Sequence, residues 1–139
     1  MAKYQILYLC GHTEEKQLFG PEARRQSYIA WCGEAAQCTA CRKADAEAAT
    51  EALEVEYGLP ALQGSEKQVA WARTIRFKAL REVIDYIDQK RSKAEQLGIL
   101  EKFEAQAAEK LQILCRPAAA RFWIDGRDVS AEERLLGAK

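Results

Sequence analysis

The sequence is short of several residue types: it has one histidine, one methionine and three prolines in 139 residues. It also lacks an excess of either charge, since twenty-one basic residues balance twenty-one acidic ones. That balance excludes a strongly basic nucleic-acid coat but allows a local basic patch. No apolar run approaches the ~18 residues that span a bilayer, so we expect no membrane partner.

Signatures of catalysis are also missing. The chain contains no glycine-rich phosphate loop, no paired-carboxylate pattern and no Ser/His/Asp set. A single histidine leaves few candidates for general acid–base chemistry. We therefore expect a protein that is not an enzyme.

Five cysteines are present, and four of them fall within the first 41 residues. The apolar stretch near the amino terminus is short and is interrupted by Cys10-Gly11-His12, which does not fit a signal peptide. We expect a cytoplasmic, reducing location, where thiols bind metal or lie in cores.

The pairs Cys10-x-His12 and Cys38-x2-Cys41 supply the four soft or borderline ligands of a tetrahedral zinc site. The first pair is expected on a hairpin turn, where Gly11 permits unusual backbone dihedrals, and the second at a helix start, where the helix dipole favours thiolates. This arrangement is that of a treble clef, so structural Zn²⁺ is the predicted cofactor.

Other roles for these residues stay open. They could be core thiols beside an incidental histidine, or Cys38 and Cys41 could form a redox pair, although no strand–CxxC–helix pattern surrounds them. Cys32 could replace one ligand. Catalytic zinc is disfavoured because four protein ligands leave no position for water. Cys115 is expected to be an inert core thiol.

Breaker residues and charge divide the chain. Gly58–Gly64 contains two glycines and a proline, and residues 44–57 before it carry five acidic groups and no basic one. We predict a zinc-binding unit at 1–57, a linker at 58–64, and a helical hairpin with a packed carboxyl-terminal segment at 65–139. The fold class is therefore α+β.

Within the first unit, residues 4–9 and 16–19 are expected to form a strand pair, followed by a helix over 22–31 and another from about Cys41 to Gly58. In the second unit, Ser65 to Gln68 is a capping box that opens a helix reaching about Gln96. A second apolar stripe from Leu100 to Leu114 predicts an antiparallel partner, which ends at Arg116-Pro117. Ser130 to Glu133 is another capping box.

Three motifs occur in order: CGH…CTAC, LPALQGSEKQVAWARTIR and FWIDGRD. Together they resemble a set of uncharacterised zinc-binding proteins encoded by bacteria and by their phages or mobile elements. The resemblance extends over nearly the whole chain. It implies a small zinc-binding protein and brings no reaction and no functional residues.

Trp71 lies on the helix face opposite the apolar stripe, and residues 65–81 carry five basic groups and one acidic group. A ring flanked by cations is typical of single-stranded nucleic-acid binding, for DNA or RNA. The candidate residues are Lys67, Trp71, Arg73, Lys78 and Arg81. Alternatively, Trp71 packs against the rest of the protein.

Two arginines, Arg73 and Arg76, fall within the apolar stripe and need partners, because a buried unpaired guanidinium is too costly. Asp125 and Asp128 are the predicted partners of Arg76, which would tie the tail onto the hairpin. The alternative is an anion site formed by the two arginines with Arg127. Phe122 and Trp123 are expected to anchor the tail.

Together these features predict a non-enzymatic, zinc-stabilised binding module, with nucleic acid as its partner. The alternative is a protein–protein adaptor or oligomerisation module that uses the long helices.

Overall fold

The computed structural model describes residues 2–138 and has the predicted α+β class. It divides into two compact units, residues 1–49 and 50–139, which are described separately below. The elements in chain order are β1 (Ala2–Leu7), β2 (Thr13–Leu18), α1 (Glu22–Ala35), α2 (Thr39–Glu56), α3 (Glu66–Gln96), α4 (Leu100–Cys115), α5 (Ala120–Asp125) and α6 (Ala131–Gly137).

The first unit is built on an antiparallel hairpin in which Tyr4 pairs with Lys16 and Leu7 with Thr13. The strands lie a few residues earlier than predicted, because Tyr8 leaves the ladder and its N–H donates to the His12 carbonyl in a tight turn. α1 packs against β1. The small core of this unit consists of Ile6, Tyr8, Cys32 and Cys38.

The second unit is organised around α3, which packs against α4, α5 and α6. Its predicted capping box is present, since Ser65 and Gln68 each accept a hydrogen bond from the other's backbone N–H. The predicted apolar stripe is also confirmed in its centre, where Leu80 and Val83 are buried. α3 contacts the carboxyl-terminal helices α5 and α6 as well as α4. The core of the second unit therefore lies between α3, α4 and the carboxyl-terminal segment.

The carboxyl-terminal segment folds as two short helices. The Trp123 side chain on α5 is buried, and its indole N–H donates to the Pro117 carbonyl at 3.1 Å. This confirms Trp123 as the anchor, whereas Phe122 is half-exposed and meets it edge-on. α6 opens at the predicted capping box of Ser130 and Glu133.

The division between the units falls inside α2, before the predicted boundary at 58–64. Leu53, near the end of α2, belongs to the core of the second unit. Segment 58–64 is also packed there: the Gln63 N–H donates to the Ala118 carbonyl, and the Ala120 N–H donates to the Gln63 carbonyl. It is therefore an integral part of the second unit and not a linker. No helix within residues 2–138 is long and apolar enough to cross a membrane.

Candidate metal centre

The four predicted ligands come together in the first unit. The ligand atoms of Cys10, His12, Cys38 and Cys41 all lie within 4.8 Å of one another. His12 Nδ1 is 3.6 Å from Cys38 Sγ and 3.3 Å from Cys41 Sγ. This Cys₃His cluster could hold a metal ion, as its sequence spacing predicted.

The first ligand pair is positioned by the hairpin turn. The Gly11 N–H donates to the Tyr8 carbonyl at 2.9 Å, and Gly11 has a φ of +84°, a conformation that favours glycine. The turn is fixed to the end of α1, because the Leu9 N–H donates to the Ala36 carbonyl. Cys10 and His12 thereby point their ligand atoms to one place.

The second ligand pair is positioned by the start of α2 and by a residue that the sequence analysis missed. Glu14, on β2, accepts hydrogen bonds from the Thr39 backbone N–H at 2.8 Å and from the Thr39 hydroxyl at 3.2 Å. This carboxylate caps the helix from outside, as a negative group at a helix N-terminus should. It therefore holds the start of α2, with Cys38 and Cys41, beside the hairpin.

Backbone N–H groups also point at the sulfur atoms. The Cys38 N–H donates to Cys10 Sγ at 3.3 Å, and the Cys41 N–H donates to Cys38 Sγ at 3.4 Å. Such bonds favour the thiolate. The bond from the Cys38 backbone, with a weaker one from His12, lowers the pKa of Cys10 to about 6. The surroundings of Cys10 therefore favour its thiolate form.

Cys41 shows the opposite effect. Its hydrogen bond with the Cys38 side chain, together with burial and the neighbouring sulfur of Cys10, raises the pKa of Cys41 to about 12. Three sulfur atoms so close together cannot all be ionised without a compensating positive charge. A divalent cation would supply that charge, so the donor set fits a metal centre.

Two nitrogen–sulfur distances in the cluster agree with tetrahedral zinc. Zn–S bonds of about 2.3 Å and Zn–N bonds of about 2.0 Å place sulfur and nitrogen about 3.5 Å apart at a tetrahedral angle. The two Nδ1–Sγ distances, 3.6 and 3.3 Å, lie on either side of this value.

The remaining cysteines lie outside this cluster. Cys32 is fully buried in the core of the first unit and is not among the four clustered ligands. Cys115 is a buried thiol of the second unit, as predicted, and burial raises its pKa. The five cysteines are free thiols, so Cys38 and Cys41 do not form a disulfide.

The candidate nucleic-acid residues on α3 have different surroundings. The Trp71 ring is 52% exposed, and the Arg127 guanidinium lies over it at 5.8 Å. Lys78 and Arg81 are exposed and make long ion pairs one turn along the helix, with Glu82 at 3.9 Å and Asp85 at 3.6 Å. Lys67 is also exposed.

Arg73 does not belong to that exposed set. Its Nε and Nη2 donate to the two carboxylate oxygens of Glu54 at 2.7 and 3.0 Å, which makes a bidentate pair. The contribution of Arg73 to nucleic-acid binding stays a prediction, and in this structure its guanidinium is paired with a carboxylate.

The predicted pairing of Arg76 with Asp125 or Asp128 is wrong. Arg76 is buried, and its guanidinium donates to Glu54 Oε1 at 2.9 Å and to the Pro60 carbonyl at 2.7 Å. The two aspartates instead pair locally on the surface, Asp125 with Arg121 at 3.2 Å and Asp128 with Arg127 at 3.8 Å. Glu54 could not be identified as the partner beforehand, because nothing in the local sequence shows that the end of α2 meets α3.

Comparison with known proteins gives no match to a protein-family model, a curated protein or a solved structure.

Proposed function

We propose that the first unit is a treble-clef-like module whose Cys₃His cluster holds a structural zinc ion. The observation that carries this is the convergence of Cys10, His12, Cys38 and Cys41 within 4.8 Å. Zinc is favoured over other metals because three thiolates and one imidazole in tetrahedral spacing are typical of structural zinc sites. Four protein ligands fill the coordination sphere, which supports a non-enzymatic role.

Metal analysis of the purified protein tests this proposal. We expect one zinc per chain, which Cys38→Ser should abolish while also unfolding residues 1–49. The effect should be large, because structural zinc contributes apparent binding energies of about 10–16 kcal/mol in small domains. Cys115→Ser is the matched control, since it alters a buried thiol of the second unit and should retain the zinc. A zinc-free protein with an ordered first unit would overturn the proposal.

We further propose that the amino-terminal half of α3 binds single-stranded nucleic acid. Support comes from Trp71, which offers a half-exposed ring beside the Arg127 guanidinium. Stacked bases use such rings, and nearby cations contact phosphates. Lys67, Lys78 and Arg81 supply the cations here. The last two have only long, exposed carboxylate contacts, which contribute little stability and leave them able to meet phosphate.

Oligonucleotide binding at two salt concentrations tests this second proposal. Affinity should fall steeply with salt because phosphate contacts release counterions. Trp71→Ala should cost about 1–3 kcal/mol of binding, as expected for one stacked base, without lowering the melting temperature. Lys78→Ala should lower the salt slope by about one contact, whereas the matched control Lys102→Ala, an exposed lysine on α4, should not.

An absence of salt-dependent binding would contradict this proposal. If Trp71→Ala instead altered stability or assembly, the protein–protein adaptor would become the better interpretation of the long helices.

A further inference from the structure

A second surface, within the first unit, combines aromatic and cationic side chains. It is a groove of about 410 Å³ whose lining includes Tyr8, Lys16, Tyr28, Trp31, Gln37 and Arg42. Among residues 2–138 no acidic side chain lines it, although Glu14 lies 3.8 Å from Lys16. Its volume lies in the range of pockets that hold small organic ligands, about 300–1,000 Å³.

One side of the groove is an aromatic platform. Trp31 is 53% exposed although it is the largest side chain of α1. The Tyr28 ring lies 6.0 Å from it, with an angle of 35° between the ring planes. Neither ring is fully buried in the core of the unit. The platform therefore presents an exposed π-face on which a planar ring could stack.

The groove also carries positive charge. Lys16 extends from β2, and interaction with the Tyr8 hydroxyl is the main cause that raises the pKa of Lys16. The Glu14 carboxylate accepts a hydrogen bond from Thr39, and its Oε2 lies 3.8 Å from Lys16 Nζ. The ion pair between Lys16 and Glu14 is therefore long. Arg42, on α2, is exposed and adds a second cation. Glu14 offsets part of the charge of Lys16, but the lining itself supplies two cations, which favours an anionic ligand.

The buried hydroxyl of Tyr8 lies at the groove. Tyr8 is 4% exposed, and its hydroxyl interacts with Lys16 and Glu14, although no described residue partners it at full hydrogen-bond geometry. Buried hydroxyls are nearly always satisfied, because an unsatisfied one carries a desolvation penalty. Tyr8 lines the groove, so an acceptor atom of a ligand there could receive this hydrogen bond.

A neighbouring pocket extends the same chemistry. It has a volume of about 390 Å³, shares Tyr28 with the groove, and is lined by Phe19, Arg24 and Arg25 as well. Phe19 is an exposed ring. Both pockets thus combine aromatic rings with cations, as do surfaces that bind a single strand of nucleic acid.

We propose that this groove binds a nucleotide, with its base stacked on Trp31 and its phosphate held by Lys16 and Arg42. The Tyr8 hydroxyl donates to an oxygen of the same ligand. The ligand is either a free mononucleotide or one nucleotide of a single strand, which would continue into the neighbouring pocket. This site does not depend on the proposed role of α3, since all of its residues lie in the first unit.

The test is calorimetric titration of the full-length, zinc-loaded protein with AMP, adenosine, inorganic phosphate and a single-stranded hexanucleotide. AMP should bind more tightly than adenosine or phosphate alone, because its base contacts Trp31 while its phosphate contacts Lys16 and Arg42. A hexanucleotide that binds at least tenfold more tightly than AMP identifies a single strand as the ligand. Equal affinities identify a mononucleotide.

Three variants assign the contacts. Trp31→Ala should weaken AMP binding about fivefold or more, as expected for one lost stacking contact. Lys16→Gln should weaken it and make it less dependent on salt. Tyr8→Phe removes only the hydroxyl and should weaken binding with zinc content unchanged.

Matched controls are Lys3→Gln, which alters a lysine of the same hairpin outside the groove, and Phe122→Ala, which removes a half-exposed ring of the second unit. Both should bind AMP as the unaltered protein does. Failure of AMP and of the hexanucleotide to bind at millimolar concentration would overturn the proposal. So would binding that Trp31→Ala and Lys16→Gln leave intact. These two results leave the proposed role of Trp71 untouched. Binding of the hexanucleotide that is lost in Trp71→Ala but kept in Trp31→Ala would be assigned to α3 and not to the groove.

Discussion

The ion pairs of Glu54 give the sharpest prediction about stability. One carboxylate oxygen accepts from Arg73 at 2.7 Å and from Arg76 at 2.9 Å, and the other accepts from Arg73 at 3.0 Å. The Arg76 side chain is 4% exposed and that of Glu54 is 23% exposed. Glu54→Ala therefore leaves the buried Arg76 guanidinium with the Pro60 carbonyl as its one remaining acceptor among residues 2–138.

The expected cost follows from burial. Removing one partner of a fully buried ion pair costs about 3–5 kcal/mol, whereas exposed pairs contribute about 0–1 kcal/mol. Because Glu54 keeps some contact with water, we expect the lower end, about 3 kcal/mol, for Glu54→Ala. Glu54→Gln keeps the shape but replaces charge-assisted hydrogen bonds with neutral ones, which are about half as strong, so it should cost about 2 kcal/mol.

The same pair predicts a dependence on pH. Hydrogen bonds from Arg73, and then from Arg76, lower the pKa of Glu54 below its ordinary value of 4.5. A carboxyl group with a lowered folded-state pKa stabilises the fold above its ordinary pKa, and this contribution is lost as the pH falls through the folded-state pKa. The stability gap between the unaltered protein and Glu54→Gln should thus be full at pH 7 and should shrink below about pH 4.5.

Urea unfolding, followed by fluorescence of the buried Trp123, measures this gap. Glu104→Gln is the matched control, because Glu104 pairs with Arg91 at 3.0 Å on an exposed surface and should cost less than about 1 kcal/mol. If Glu54→Gln cost no more than Glu104→Gln, or if its cost did not change between pH 7 and pH 4, the inference that Glu54 compensates a buried Arg76 would be refuted.

Two further predictions concern the second unit. Trp123→Ala should lower the free energy of unfolding in urea by about 3–5 kcal/mol, because it empties the volume of a buried indole; a cost under 1 kcal/mol would contradict its role as the anchor. Ser65→Ala should cost about 1 kcal/mol in thermal or urea unfolding, since it removes one half of the α3 capping box. Ser27→Ala, whose hydroxyl only bonds its own helix, is the control and should be nearly neutral.

Features that depend on neighbouring residues could be predicted from the sequence. The two capping boxes are examples, because each is completed by a residue three positions away. The spacing of Cys10-x-His12 and Cys38-x2-Cys41 likewise limits where each ligand pair can point, so the metal cluster was predictable. The core face of α3 followed from helical periodicity.

Features that depend on distant residues were settled only by the tertiary structure. The choice of Glu54 over Asp125 as the partner of Arg76 follows from the end of α2 packing in the second unit, which no local pattern encodes. The cap that Glu14 places on α2 spans twenty-five residues of sequence. Sequence patterns report on contacts within a few residues, whereas ion pairs and cross-element caps depend on which elements pack together.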